Sequence, residues 1–149
     1  MKDNKIIRLI TIIIFYICFF LSFDLSNASQ KIKIVVKIDN SIITSEDINN
    51  ESNYLRALNE NLSKLKKEEV YVIAKDSLIK EKIKKNEINK YIDIQTLKNE
   101  KLISDIIENI YKRLGFSNTS DFEIYLNKFE LSPDDVKRKL NIEMVWNQL

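Results

Sequence analysis

No histidine occurs in the 149 residues, and cysteine, glycine and proline occur once each. The first two shortages remove chemistry. Without histidine there is no Ser/His or Cys/His nucleophile–base pair, and the usual transition-metal sites lose their main ligands. Cys18 lies inside an apolar run near the N-terminus and reads as a hydrophobic filler, because Tyr16 and Ile17 before it are too bulky for a lipid-attachment site. The rest of the chain has no thiol. It tolerates an oxidising compartment but gains no disulfide there. The lone Gly115 excludes a P-loop and a dinucleotide-binding fingerprint. Charge of one sign is also lacking: 24 basic residues face 22 acidic ones, a net of +2. A nucleic-acid footprint has little to rest on.

What is present begins with a leader. Lys2, Lys5 and Arg8 precede "LITIIIFYICFFLSF", Leu9 to Phe23, and "DLSNA" follows with the small residues Ser26 and Ala28. This is the layout of a secretory signal peptide cut after Ala28. The run is shorter than the ~20 residues a spanning helix needs. If it is retained, it serves as an inner-membrane anchor. Residues 1–28 are therefore separated from one domain, 29–149. The leader holds three basic and two acidic residues, leaving 21 and 20 beyond it, a net of +1. The remaining length, about 120 residues, suffices for one modest core.

The domain opens on alternation. Ile32, Ile34, Val36 and Ile38 share one parity, and Lys31, Lys33, Val35 and Lys37 the other, which predicts a half-buried strand. Asp39-Asn40 makes a two-residue turn, Ile42 and Ile43 a short return strand. Thr44 or Ser45 then caps a helix with Glu46 and Asp47 in its first turn. Ile48, Leu55, Leu58, Leu62 and Leu65 form its stripe. Ser63 is the expected cap of a longer helix that buries Val72, Ile73, Leu78, Ile79 and Ile83. A break is expected over Asn86 to Thr96. Leu102, Ile103, Ile106, Ile107, Ile110 and Leu114 repeat at helical spacing, and Gly115 ends that helix. Ser120 and Glu123 fit a capping box for a short helix with Phe122, Leu126 and Phe129. Ser132-Pro133-Asp134-Asp135 starts the last helix, which carries Val136, Leu140, Met144 and Trp146 to Leu149. The expected fold is mostly α: a small N-terminal β-hairpin followed by about five helices.

Candidate chemistry is sparse. The acidic pairs Glu46-Asp47, Glu68-Glu69 and Asp134-Asp135 read as caps or solvated charge. "KLKKEE", Lys64 to Glu69, reads as a solvated face. No catalytic, metal-binding or cofactor-binding residue is assigned, and no cofactor. The aromatic residues Phe116, Phe122, Tyr125, Phe129 and Trp146 gather in the last third. They suit core packing, or an apolar groove that takes extended peptide segments, since rings combine large contact area with, for Tyr and Trp, a polar tip.

The order of elements resembles a known family. "VVKIDNSIITSEDI" resembles the opening of the SurA N-terminal domain, where a strand, a polar turn and a return strand ending in Thr or Ser lead into the first helix. "DSLIKEKI", Asp76 to Ile83, is similar to that family's helix with its Leu-Ile-x-Glu-Lys core. Ile107 to Leu149 is similar to the segment that follows. The resemblance covers nearly all of residues 29–149 and implies a periplasmic module of the SurA N-terminal and trigger-factor-like kind. It implies an ATP-independent chaperone that holds unfolded outer-membrane proteins or peptides; the five aromatic residues are then the candidate client contacts on the groove reading given above. There are two departures. The family usually has a glycine in the loop after Leu-Ile-x-Glu-Lys, and Asn89 to Ile94 carries none. The chain also stops where members continue into parvulin-type peptidyl-prolyl isomerase domains, so isomerase activity is not carried over to these residues.

Three readings follow from the sequence. The first is the chaperone module. The second is the non-catalytic N-terminal part of a parvulin-type isomerase. The third is a relative anchored through Leu9 to Phe23, its only membrane contact. An unfilled apolar surface would also favour a homodimer.

Overall fold

The computed structural model of the chain describes residues 31–94 and 99–149. The leader expected at residues 1–28, its cleavage point and its alternative role as an anchor lie outside them. Among the described residues a two-stranded hairpin precedes six helices, as the mostly α expectation has it. The sixth helix beyond "about five" is a single turn.

Strand β1, Ile34–Ile38, pairs antiparallel with β2, Ser41–Thr44. The turn is the expected Asp39-Asn40, with only Asp39 at positive φ (49°), which aspartate tolerates better than most residues. The alternation fails at one point. Val36 pairs Ile43 and Lys37 pairs Ile42, but the register slips between Ile34 and Val36, so that Ile34 pairs Thr44. A one-residue bulge moves the side chains before it to the opposite face. Ile34 therefore joins Ile42 on the outer face, 67% and 45% exposed, and Ile32 is also exposed. Val36 and Ile38 pack inward with buried Ile43.

Helix α1, Ser45–Leu58, takes Thr44 as its cap: the Asp47 N–H donates to Thr44 Oγ1 at 3.1 Å, and the Thr44 N–H to Asp47 Oδ2 at 2.7 Å. One turn, α2, Glu60–Ser63, follows. The long helix α3, Lys67–Ile88, then starts later than expected. Ser63 does not cap it, because its hydroxyl turns back to Glu60 O at 2.6 Å. Glu69 instead accepts the Lys66 N–H at 2.9 Å. The buried face of α3 also differs. Val70, Ala74, Leu78 and Ile88 are buried, whereas Val72, Ile73 and Ile83 are exposed. The 70–74–78 register faces α1 and the hairpin, and Val72 and Ile83, three turns apart, share a stripe turned away from it. Of the five residues expected to be buried, Leu78 is buried and Ile79 half-buried. The helix also runs past Asn86, so the break begins at Asn89.

Helix α4, Glu100–Arg113, is capped by Asn99 and buries Ile103 and Ile107. Gly115 follows it at φ +86°, with nothing within 4 Å of a Cβ placed there. The position is strained for an L side chain by backbone alone. Gly115→Ala is expected to lower stability by about 1–2 kcal/mol, read as a shift in the urea midpoint. Helix α5, Thr119–Asn127, starts two residues earlier than the expected Ser120–Glu123 box, because Asn118 Oδ1 accepts the Asp121 N–H at 2.9 Å.

The last helix, α6, Pro133–Gln148, has the expected start. Ser132 Oγ accepts the Asp135 N–H at 3.3 Å, and the Ser132 N–H donates to Asp135 Oδ2 at 3.0 Å. The Ser132 hydroxyl, opposed in part by desolvation, holds the Asp135 carboxyl below its ordinary value. A lowered folded value gives stability that is present above the ordinary carboxylate range and is lost as pH falls through the lower, folded value. Ser132→Ala is expected to remove about 1 kcal/mol at neutral pH and less in acid. Urea titrations at pH 7 and pH 3 check both.

Three apolar clusters hold these elements. The hairpin, the start of α1 and α3 enclose Ile43, Ile48, Ala74 and Leu78. The end of α1 meets α4, α5 and α6 around Ala57, Ile103, Ile107, Phe122, Leu126, Leu131 and Val136. Ile88 and Ile94 pack on Ile142 and Val145 of α6.

Candidate functional site

The five aromatic candidates divide. Phe122 is fully buried. Its ring lies 6.1 Å from Tyr111 and 6.1 Å from Phe116, and Tyr125 stands 4.9 Å from Phe116 and 5.2 Å from Phe129. These are tilted contacts of a packed aromatic core. The Tyr125 hydroxyl donates to Ala57 O at 2.9 Å, tying α5 to the end of α1. Burial, with the Glu60 charge second, raises its pKa. Phe116, Tyr125 and Phe129 are half-buried against the same cluster. Trp146 stands apart near the end of α6, 36% exposed, with the Lys84 ammonium 6.0 Å from its ring.

Between α1, α3 and α6 lies a charged cluster that the sequence reading did not single out. Glu51 is 2% exposed and accepts the Ser77 hydroxyl at 2.7 Å. Lys139 Nζ lies 2.6 Å from Glu51 Oε2 and hydrogen-bonds Glu81. Glu51 Oε2 is met by the ammonium's charge but has no hydrogen bond of good geometry. The ammonium also sits 5.0 Å over the Tyr54 ring. Burial, then the charges of Glu51, Glu81 and Glu143, push the Tyr54 phenol well above its ordinary value. The group has two carboxylates for one ammonium. It fixes three helices and leaves no reactive group exposed.

A cleft of about 880 Å³ lies between the end of α3, residues 89–94, the start of α4 and α6. Ile94, Ile103 and Ile142 give it apolar surface, and Lys85, Glu100, Asn141 and Lys137 stand among its polar lining. None of the five aromatic candidates lines it. Asn141 is 6% exposed; its Nδ2 donates to Ile94 O at 3.1 Å, while its Oδ1 has no donor among the described residues. Lys137 and Arg138 are paired with Asp134 and Asp135. Lys85 and Glu100 have no side-chain ion pair or hydrogen bond among the described residues. A smaller recess of about 380 Å³ is lined by Asn49, Ser52, Asn53, Arg56, Lys67 and Tyr71. There the Arg56 guanidinium is occupied by Ser63 O and Leu65 O.

Among the described residues no cluster of acids suits a metal ion, and no helix is long and apolar enough to cross a membrane. In each acidic pair the second member, Asp47, Glu69 or Asp135, caps its own helix. The chain matches no protein-family model, no curated protein and no solved structure.

Proposed function

We propose that this chain is an exported, ATP-independent chaperone module that holds extended apolar segments of unfolded outer-membrane proteins. The observation that carries the reading is the cleft beside α6, about 880 Å³, which borders the buried Ile94, Ile103 and Ile142 and is lined with charge of both signs. An extended segment buries aliphatic side chains there and keeps its polar groups at the rim. Such binding is weak and reversible, and needs no hydrolysis. The leader pattern and the order of hairpin and helices support the same reading. The cleft, rather than the aromatic cluster, is the client-binding surface in this proposal, because it is a recess with charge of both signs in its lining, whereas the rings pack on one another.

A second reading makes the chain the non-catalytic part of a parvulin-type isomerase. The outward-turned Ile34 and Ile42 of the hairpin favour it, as an apolar face that another domain would cover. A histidine-bearing parvulin domain in the downstream coding sequence would decide for it.

The chaperone reading is tested by light scattering of a denatured outer-membrane β-barrel protein diluted into buffer with the purified chain. Suppressed aggregation near one chain per client is the expected result. Unchanged aggregation, with the chain shown folded by circular dichroism, contradicts it.

A further inference from the structure

We propose that the smaller recess, between α1 and α3, binds a phosphate group, as the free ion or on a small monoester. The site is separate from the client cleft and does not depend on the chaperone reading.

Two helix stripes build the recess. On α1, Asn49, Asn53 and Arg56 stand at i, i+4 and i+7, with Ser52 beside them. On α3, Lys67 and Tyr71 stand at i and i+4. Such spacings place side chains on one face of a helix. The two faces enclose about 380 Å³.

Three observations point to an anion. The first is charge. Arg56 and Lys67 give the lining two positive charges, and no acid lines it. Glu68 and Glu69 follow Lys67 on α3, but neither lines the recess, and Glu69 is turned back to the Lys66 N–H. The second is orientation. Arg56 is half-buried and donates to Ser63 O at 3.3 Å and Leu65 O at 3.0 Å. A guanidinium carries five N–H groups, so these two bonds hold it in place and leave three for a ligand. Both partners are neutral carbonyls, so its charge is not cancelled. The third is a set of uncommitted polar groups. The exposed Lys67 ammonium, and the half-buried Tyr71 hydroxyl and Asn53 amide, have no side-chain hydrogen bond or ion pair among the described residues. Lys67 thus shares the recess with a fixed cation, and an anion between them relieves the repulsion.

Phosphate suits this arrangement better than a carboxylate. A phosphate monoester carries a charge of about −1.5 to −2 near neutral pH and three strong acceptor oxygens. That charge matches the two cations. Its tetrahedral oxygens face both walls, where the donors of α1 and α3 stand. A carboxylate has one charge and two oxygens in one plane. Arginine meets phosphate through paired N–H groups, and lysine meets it as a point charge. The recess exceeds a bare oxyanion, which leaves room beside Tyr71 for a small ester group.

The test is a titration of the isotope-labelled chain with glycerol 3-phosphate at low salt, followed by two-dimensional NMR. The side-chain amides of Asn49 and Asn53 and the Arg56 Nε–H are the probes. The Asn141 amide, in the other cleft, is the internal control. Saturable shifts are expected at residues 49, 53 and 56, with Asn141 unmoved. Acetate is expected to bind at least about tenfold more weakly, having one charge and one fewer oxygen. Inorganic phosphate, in a parallel arm, separates the two sources. Weaker binding than the ester shows that the ester group is also held, and equal binding shows that the free ion suffices; either supports a phosphate site. Lys67→Gln, on an exposed side chain, is expected to weaken binding about fivefold. Arg56→Gln is expected to weaken it by about tenfold or more.

The absence of a saturable shift at about 10 mM ligand, beyond the millimolar scale of a weak site, overturns the proposal. So do shifts centred on Asn141, or acetate bound as tightly as glycerol 3-phosphate. Unchanged affinity in Lys67→Gln, with the variant shown folded by circular dichroism, overturns it as well.

Discussion

Lys139→Met is expected to destabilise the chain by about 3–5 kcal/mol, because it removes the one cation from a cluster with two carboxylates. Glu51, at 2% exposure, would be left buried beside Glu81 without its counter-ion. The methionine fills much the same volume, so packing loss is small and the effect is electrostatic. Adding Glu51→Gln in the same chain is expected to recover a substantial part of the loss, since it removes one of the stranded charges. Urea unfolding followed by circular dichroism gives all three stabilities. A Lys139→Met variant within 0.5 kcal/mol of the parent, on the ~0–1 kcal/mol scale of a surface pair, would show that the cluster is solvated and does not fix the helices.

Phe122→Ala is expected to cost about 3–5 kcal/mol, the range for a large buried ring whose cavity is incompletely refilled. The ring is fully enclosed and lies against Tyr111 and Phe116. Trp146→Ala, on a side chain more than a third exposed, is expected to cost less than half as much. The pair separates two roles that one composition signal had joined. Thermal unfolding of both variants measures the difference. Equal losses would mean that the aromatic residues do not divide into core and surface as the packing requires.

Much of the architecture was legible because it depends on local chemistry. Thr44, Gly115 and the Ser132-Pro133 start act through their own backbone, and their signals survive any tertiary arrangement. Residues that depend on neighbours were harder to read. Ile32 and Ile34 fit a perfect alternation, yet a bulge set by the return strand turns Ile34 outward. Val72, Ile73 and Ile83 looked like a buried face because they are apolar, whereas the register that meets α1 runs through Val70, Ala74 and Leu78. Asn118 rather than Ser120 caps α5, a choice between good caps two residues apart that sequence does not decide.

The polar interior did leave a trace. The apolar stripe of α1 steps seven positions from Ile48 to Leu55, and the missing position is occupied by Glu51. Lys139 likewise stands three residues after Val136 and three before Ile142, at a spacing where an apolar residue would be expected. Glu81 is the acid of the Leu78-Ile79-Lys80-Glu81-Lys82 stretch. A charge at a core position on each of three helices is a signal for a buried cluster. The cleft left no comparable trace. Lys85, Glu100 and Asn141 belong to three helices, and nothing local to any of them marks the space between.

The most direct measurement of the central claim is hydrogen exchange of the chain, alone and with a saturating denatured outer-membrane β-barrel protein. Added protection is expected at residues 85–94, 100–104 and 137–142, which border the cleft, with little change in the hairpin. Protection confined to the hairpin, or to the aromatic segment 116–129, with the cleft exchanging as before, would contradict it.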